Sequence, residues 1–150
     1  MITNHGIHQW DVIPGMPDTG GQNVFVNQMT ESLVGLGYRA TIVNRGGFPH
    51  PRSGGERSGL DYKDAHQRIL FIEDEVEDFV RKEDMHERIP QLVGFLGDFL
   101  RGEETPVEFI CSHYWDAASI GVRLKQALGL DCKHVWIPHS VGTLKKRNVD

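Results

Sequence analysis

The sequence has few cysteines and no long apolar run. Its two cysteines, Cys111 and Cys132, each lie in a short apolar stretch that is typical of a buried strand, where a thiol behaves as a small hydrophobic group. We therefore expect no disulfide framework and a reduced, cytoplasmic protein. No stretch approaches the ~20 apolar residues that span a bilayer, and the N-terminus lacks the charged and apolar regions of a signal peptide. A soluble protein without a membrane span is expected.

The chain also has no excess of basic residues. With 16 Lys and Arg against 21 Asp and Glu, its formal net charge is -5, so it lacks the basic surface that nucleic acids require. Nucleic acid is therefore not expected as a partner. The sequence motifs of P-loop NTPases, Gly-x-Ser-x-Gly hydrolases and Cys-x-x-Cys thiol enzymes are absent as well.

Apolar periodicity predicts helices and strands that alternate along one domain of 150 residues. Apolar residues spaced by three and four form the helical faces, and short continuous apolar runs form the strands. The predicted helices cover about 21–36, 89–100 and 116–128, and the predicted strands cover 40–43, 68–72, 107–111 and 133–137. This alternation predicts an α/β fold, a Rossmann-like parallel sheet with helices on both faces.

The connecting segments differ in composition from the predicted helices and strands. Residues 1–6 are typical of the end of a first strand that runs into a glycine loop, and 7–19 are rich in turn-forming residues. The segment 44–59, dense in glycine, proline and charge, is predicted to be a surface loop. The acidic run around Asp74 is interpreted as the solvated face of a helix.

Four polar clusters follow predicted strands. They are His5 to Gln22, Asn44 to Gly47, Ser112 to Asp116 and His139 to Arg147. In open parallel sheets, ligands bind in the crevice beyond the carboxyl ends of the strands. We therefore expect these clusters to converge on one edge of the sheet and to form the functional site there.

The first cluster ends in a glycine motif, Asp18 to Gln22, which directly precedes a predicted helix. Two glycines allow close backbone approach, and free N–H groups at a helix start suit a phosphate or a sugar hydroxyl. The alternative is an ordinary tight turn with Thr19 as the helix cap. Asp18-Thr19-Gly20 also matches the aspartic protease triplet, but Pro17 precedes it where those enzymes have a strand, and the triplet occurs once.

The other clusters offer weaker signals. Tyr114 is a better ligand candidate than Trp115, which we expect to be packed in the core. His139 and the cations that follow it suit a phosphate, although a solvated basic tail is the simpler interpretation. His5 and His8 have no further ligand at metal-binding spacing, so no metal site is expected.

Taken in order, three of these motifs resemble one enzyme family. Pro17 to Gln22 come first, Ser112 to Asp116 follow, and His139 to Gly142 with Lys145 come last. With this order and spacing they resemble the N-terminal half of a GT4-type retaining glycosyltransferase, in the group of sucrose synthase and sucrose-phosphate synthase. The resemblance spans nearly the whole chain.

The resemblance implies the N-terminal half of a GT-B fold, in which two Rossmann-like domains face each other across a cleft. The first domain, here residues 1–150, would bind a sugar or sugar-phosphate acceptor, and the second would bind a nucleotide sugar, with UDP-glucose as the expected donor. No cofactor is implied. His139 would be the catalytic residue, through its backbone or ring near the transferred sugar. The expected acceptor and sugar ligands are Gly20, Gly21, Gln22, Tyr114, Ser140 and Lys145.

The donor-binding half of that family has no counterpart in these 150 residues. We therefore expect no glycosyl transfer by this chain alone, and an exposed interdomain face would favour self-association. The alternative is a stand-alone sugar-phosphate binding module or a gene remnant without catalysis. Fructose 6-phosphate, fructose and other polyols or sugar acids all stay open as acceptors.

Overall fold

The computed structural model describes residues 1–16 and 20–139 as alternating helices and strands. The helices are α1 (Gly21–Gly35), a 3-10 helix (Lys82–Glu87), α2 (Ile89–Arg101) and α3 (Tyr114–Leu128). The strands are β1 (Ala40–Arg45), β2 (Gly59–Tyr62), β3 (Gln67–Ile72), β4 (Phe109–His113) and β5 (Lys133–Ile137). The predicted α/β alternation is therefore confirmed.

The N-terminal residues join two groups of strands into one continuous sheet. Ile2 forms parallel bridges with Val43 of β1 and with Ser112 of β4. Its N–H donates to the carbonyl of Cys111 at 2.7 Å, and the N–H of Thr3 donates to the carbonyl of Val43 at 2.9 Å. The order across the sheet is β2, β3, β1, the N-terminal segment, β4 and β5, and only the pairing of β2 with β3 is antiparallel. The prediction of a strand end at the N-terminus is confirmed.

Helices cover both faces of the sheet, because successive residues of each strand point to opposite sides. Ile42 of β1 packs with Val26 of α1 and with Ile69 on one face. Val43 belongs to the opposite face, whose buried apolar residues we call the aliphatic layer. The layer is contributed by the N-terminal segment, β1, β3, β4, α2, α3 and adjoining segments: Ile2, Val43, Leu70, Ile72, Met85, Ile89, Leu92, Leu96, Ile110, Ala117, Ile120, Leu124 and Cys132.

The prediction that 44–59 is a surface loop was wrong at both ends. Asn44 and Arg45 continue β1 and are buried, and Arg57 is only 5% exposed. Strand β2, which follows the segment, was missed. Its four residues are all exposed, so this edge strand shows no apolar alternation that sequence reasoning could detect.

Asp74 does not lie on a solvated helix face. Its buried carboxylate accepts hydrogen bonds from Arg45 Nε at 2.7 Å and Nη2 at 2.8 Å. Burial opposes ionisation, but the bonds from Arg45 and from the N–H of Val76 hold the pKa of Asp74 below its ordinary value. Sequence composition could not reveal this pair, because its partners are 29 residues apart.

Helix α1 buries a more polar face than its periodicity predicted. Leu36, placed on the apolar face by spacing, is 76% exposed, whereas Asn23 and Thr30 are buried beside Val26. The side-chain amide of Asn23 donates to the carbonyl of Ile7 at 2.5 Å. The helix therefore uses polar side chains to hold the loop after the first strand. Within residues 1–16 and 20–139, no helix is long and apolar enough to cross a bilayer.

Candidate functional site

The described parts of the four polar clusters meet at the carboxyl edge of the sheet, as predicted. His5 contacts Asp116, which lies 111 residues away, and His113 contacts His139. Gln22 of α1 donates to the hydroxyl of Thr3 at 2.5 Å. We call this group of side chains the edge site: His5, Gln22, His113, Tyr114, Asp116 and His139.

Asp116 anchors one side of the edge site. It is fully buried in the first turn of α3, where the helix dipole favours a negative charge. Its two carboxylate oxygens lie 3.0 and 3.1 Å from His5 Nδ1, and Asn4 Nδ2 donates to it at 3.4 Å. Because a carboxylate can only accept, Nδ1 of His5 carries the proton, and the ring orientation is fixed.

Stacked rings form the other side of the site. The Tyr114 and His139 rings lie 5.2 Å apart and 20° from parallel, and His5 meets Tyr114 edge-on at 4.7 Å. Phe25 of α1 contacts His113 and His139 edge-on at 5.9 and 5.4 Å. Helix α1 is therefore joined to the ends of β4 and β5 through aromatic contacts, which favour these offset geometries.

A short relay of hydrogen bonds assigns the proton on His139. Burial raises the pKa of Cys111, so its thiol remains protonated and can donate to His113 Nε2 at 3.8 Å. His113 Nδ1 then donates to His139 Nε2 at 2.8 Å. In this arrangement the remaining proton of His139 lies on Nδ1, which is available to a ligand.

Both histidines of the relay are held neutral. Burial, reinforced by the charges of His139, the N-terminus and His8, lowers the pKa of His113 to about 3. Burial, followed by the charge of His5, also lowers the pKa of His139. The edge site therefore presents a neutral imidazole donor at physiological pH rather than a cation.

Tyr114 and His139 share an unusual backbone. Among the described residues, they are the two non-glycine positions with positive φ, 68° for Tyr114 and 53° for His139. Such a conformation is uncommon for residues with a Cβ and concentrates at functional sites. It turns the chain sharply where β4 and β5 end, and it places the two rings against each other.

The described glycines of the motif, Gly20 and Gly21, lie at the start of α1, as predicted. Gly20 is the residue before the helix and has φ 134°, which only glycine adopts readily, and no side chain caps this helix. A Cβ on Gly21 would meet no atom of residues 1–16 or 20–139 within 4 Å, apart from its chain neighbours and the helix backbone. Packing against the described residues therefore does not require glycine at this position.

Several predicted residues cannot be placed, and one was placed wrongly. Ser140 and Lys145 lie outside the described residues, as do Asp18 and Thr19. Trp115, expected in the core, is 44% exposed. Trp115 is not part of the aliphatic layer, whereas Ala117 of the same helix is.

Sequence reasoning gave no role to Asp116, His113 or Phe25. Asp116 had one usable signal, a carboxylate in the first turn of a helix after a strand. No sequence signal marked Phe25, because its ring contacts are with residues far away in the sequence. His8, considered with His5 as a metal ligand, instead lies 2.8 Å from Asn27 Oδ1. The described residues hold no group of three or more side chains suited to a metal.

Curated relatives extend over most or all of this chain. It is 32% identical over 150 residues to mannosylfructose-phosphate synthase of Agrobacterium fabrum, covering 31% of that protein. It is 26% identical over 132 residues to D-inositol 3-phosphate glycosyltransferase of Corynebacterium aurimucosum, covering 30% of that protein. The chain thus spans about a third of the length of these relatives. No protein-family profile matches it.

Solved structures agree with the observed fold. Sucrose-phosphate synthase from Thermosynechococcus elongatus superposes with a TM-score of 0.80 at 21% identity, over 99% of this chain and 35% of that one. A second structure of that protein superposes with a TM-score of 0.61 at 18% identity, over 77% of this chain and 60% of that one. The fold is therefore that of one part of a GT-B glycosyltransferase.

Proposed function

Because the chain is related along its whole length to glycosyltransferases of the sucrose-phosphate synthase type, we propose that it is the acceptor-side, N-terminal half of such an enzyme. The edge site would bind a sugar or sugar-phosphate acceptor. A donor-binding half would supply a nucleotide sugar, with UDP-glucose as the proposed donor, and transfer would retain the anomeric configuration. This chain alone would not transfer sugar.

The observation that carries the proposal is the Tyr114–His139 pair. Both residues have positive φ, and their rings stack at the carboxyl edge of the sheet. Strained backbone persists where function requires a fixed geometry. Flat aromatic surfaces next to free hydrogen-bond donors suit a sugar ring, whose faces are apolar and whose edges carry hydroxyl groups.

The described residues that were predicted to contact sugar each have a proposed role. Gly21 and Gln22 admit the acceptor to the N–H groups at the start of α1, and Gly20 makes the turn that exposes them. Tyr114 lines the acceptor pocket. His139 contacts the transferred sugar.

The neutral state of His139 suits this role. A transition state with oxocarbenium character carries positive charge on the sugar, which a nearby imidazolium would destabilise. A neutral ring that donates through Nδ1 orients a sugar hydroxyl without that repulsion. Ser140 and Lys145 are proposed to hold an acceptor phosphate.

Exposed aromatic residues support a partner surface at this edge. Phe25, Trp115 and Trp136 are each between 43% and 51% exposed, and Trp136 Nε1 donates to the carbonyl of Tyr114 at 3.0 Å. We propose that the donor-binding half packs over these side chains. Where that half is missing, the same surface would lead to self-association.

A cytoplasmic location, expected from the unpaired Cys111 and Cys132, belongs to the same proposal.

A stand-alone sugar-phosphate binding module, or a remnant without catalysis, is the alternative. The edge site favours a module over a remnant, because His5, His113 and Asp116 stay buried with partners. A module should be monomeric and bind a phosphosugar at micromolar concentrations. A severed half should self-associate and bind acceptor weakly until the donor half is present.

The test compares fructose 6-phosphate with fructose by calorimetric titration of the chain. Lys145→Ala should weaken binding of the phosphate about 10-fold and leave fructose unchanged, because an ammonium group holds phosphate by charge. Lys133→Ala is the matched control, since this exposed lysine begins β5 at the opposite end of the strand. Equal losses for both sugars would exclude Lys145 as the phosphate ligand. No binding of either sugar, also after fusion to a donor half, would refute the acceptor site.

A further inference from the structure

A cavity lies between the loop after the first strand and the segment that precedes β2. Its volume is about 380 Å³, within the range of small-molecule sites. It is lined by three buried polar side chains, His8, His50 and Arg57, by exposed residues between Ser53 and Asp61, and by none of the edge-site residues. We call it the Arg57 cavity, and its principal side chains are His8, Gln9, His50, Ser53, Arg57 and Phe71.

Arg57 is a buried cation without a matching anion. Its guanidinium donates to Asn44 Oδ1, to the carbonyl of Arg45 at 2.9 Å and to the carbonyl of His8 at 3.5 Å, all of which are uncharged. No carboxylate of the described residues pairs with it, and its Nε has no partner there. Buried charges are ordinarily paired, because an unpaired one loses its hydration without compensation.

The surroundings of Arg57 confirm an excess of positive charge. Burial, and then repulsion from Arg45, lowers the pKa of Arg57 to about 10, so the group still carries its charge at neutral pH. Arg45 is no substitute for a partner, since its own charge is compensated by Asp74. Two carboxylates, Glu56 and Asp61, also line the cavity, but both are exposed and neither pairs with Arg57. Glu56 instead accepts from the hydroxyl of Ser58.

His50 offers a second free donor to the cavity. It is 6% exposed, and its Nδ1 accepts hydrogen bonds from the N–H groups of Arg52 at 3.2 Å and Ser53 at 3.1 Å. In the neutral ring the proton must therefore lie on Nε2. That nitrogen is buried and has no partner among the described residues.

The loop after the first strand brings a third group to the same space. The amide nitrogen of Asn27 donates to the carbonyls of Gln9 and Trp10, so its oxygen faces His8 and accepts from Nε2. His8 is thereby held in place. The side-chain nitrogen of Gln9 is buried without a partner within the described part of the chain. Arg57, His50 and Gln9 thus each carry an unused N–H donor.

From these side chains we infer that the Arg57 cavity binds a small oxyanion, a phosphate or carboxylate group, as a ligand site separate from the edge site. An oxyanion offers several acceptor oxygens to the unused donors and supplies the charge that Arg57 lacks. The inference does not depend on the proposed function, because no edge-site residue lines the cavity.

The test is a titration of the ¹⁵N-labelled chain with sodium phosphate, followed through the Arg57 Nε–H signal and the His50 ring signals. Saturable shifts of both signals below 10 mM phosphate are expected. Arg57→Gln and His50→Gln should each weaken binding about 10-fold or more. Arg88→Gln is the control, because Arg88 pairs with Glu75 and does not line the cavity.

Each outcome decides the inference. Shifts confined to Gly21 or Tyr114, or no saturation, would overturn it. If Arg57→Gln fails to fold, His50→Gln alone carries the test, and unchanged phosphate affinity in it would also overturn the site. A parallel titration with fructose 6-phosphate separates the sources: tighter binding than inorganic phosphate identifies a phosphorylated metabolite, and equal binding identifies the free ion.

Discussion

The aliphatic layer and the carboxyl edge of the sheet are both buried, but they differ in chemistry. The layer consists of apolar side chains that pack against one another. The edge buries histidines, an aspartate and two arginines, some with partners and some without. Burial of apolar surface stabilises a fold in proportion to area, whereas burial of a polar group costs free energy unless every bond is made. Stability should therefore come from the layer, and ligand chemistry from the edge.

The largest loss of folding stability should come from a substitution in the aliphatic layer. Leu92 of α2 has no exposed surface, so Leu92→Ala removes buried methyl groups and leaves a cavity. The expected loss is about 3 to 4 kcal/mol in the free energy of unfolding, measured by urea denaturation. Leu36→Ala is the control, because Leu36 ends α1 in solvent at 76% exposure and should cost less than about 0.5 kcal/mol. Equal losses would mean that the layer does not dominate stability.

Acidification should destabilise the protein through the buried histidines of the carboxyl edge. It should not change the contribution of the aliphatic layer. Burial lowers the pKa of His8 from 6.5 to about 4 and that of His113 from 6.5 to about 3. Above pH 6.5 both states of the protein carry these histidines neutral, so stability is unaffected. As the pH falls from 6.5 toward 4, the unfolded chain takes up protons that the folded chain cannot, and stability is lost. Each unit of difference is worth about 1.4 kcal/mol, so His8 alone should lower the free energy of unfolding by roughly 3 kcal/mol at pH 4.

Denaturation at a series of pH values measures that contribution. His8→Gln should flatten the dependence between pH 6.5 and 4, because glutamine does not titrate. His66→Gln should not, since His66 is exposed. Leu92→Ala should shift the whole curve downward without changing its slope. An unchanged slope in His8→Gln would show that this histidine is protonated in the folded state.

The same contrast explains what the sequence could predict. The layer follows from apolar periodicity, which is a local property, and β5 was predicted at its observed bounds, Lys133–Ile137. The convergence of the polar clusters followed from topology. Topology did not predict the buried pair of Arg45 with Asp74 or the cavity of Arg57. In the sequence, a charged residue that will be buried looks the same as one that stays in solvent. The exposed strand β2 gave no signal at all.

The smallest change in stability is expected for a substitution at the start of α1 that should nevertheless weaken acceptor binding. Gly21 and Gly35 both lie in α1, and a Cβ at either would meet no atom of the part of the chain that the structure describes within 4 Å, apart from its neighbours and the helix backbone. Because alanine favours helices over glycine, Gly21→Ala and Gly35→Ala should each change the free energy of unfolding by less than about 1 kcal/mol, in the stabilising direction. Gly21 is the first residue of the helix, where the acceptor is proposed to bind, whereas Gly35 is the last. Its methyl group should therefore weaken fructose 6-phosphate binding about 10-fold, while Gly35→Ala leaves it unchanged. If Gly21→Ala binds as well as the parent chain, the glycine only makes the turn, and the acceptor does not approach this backbone.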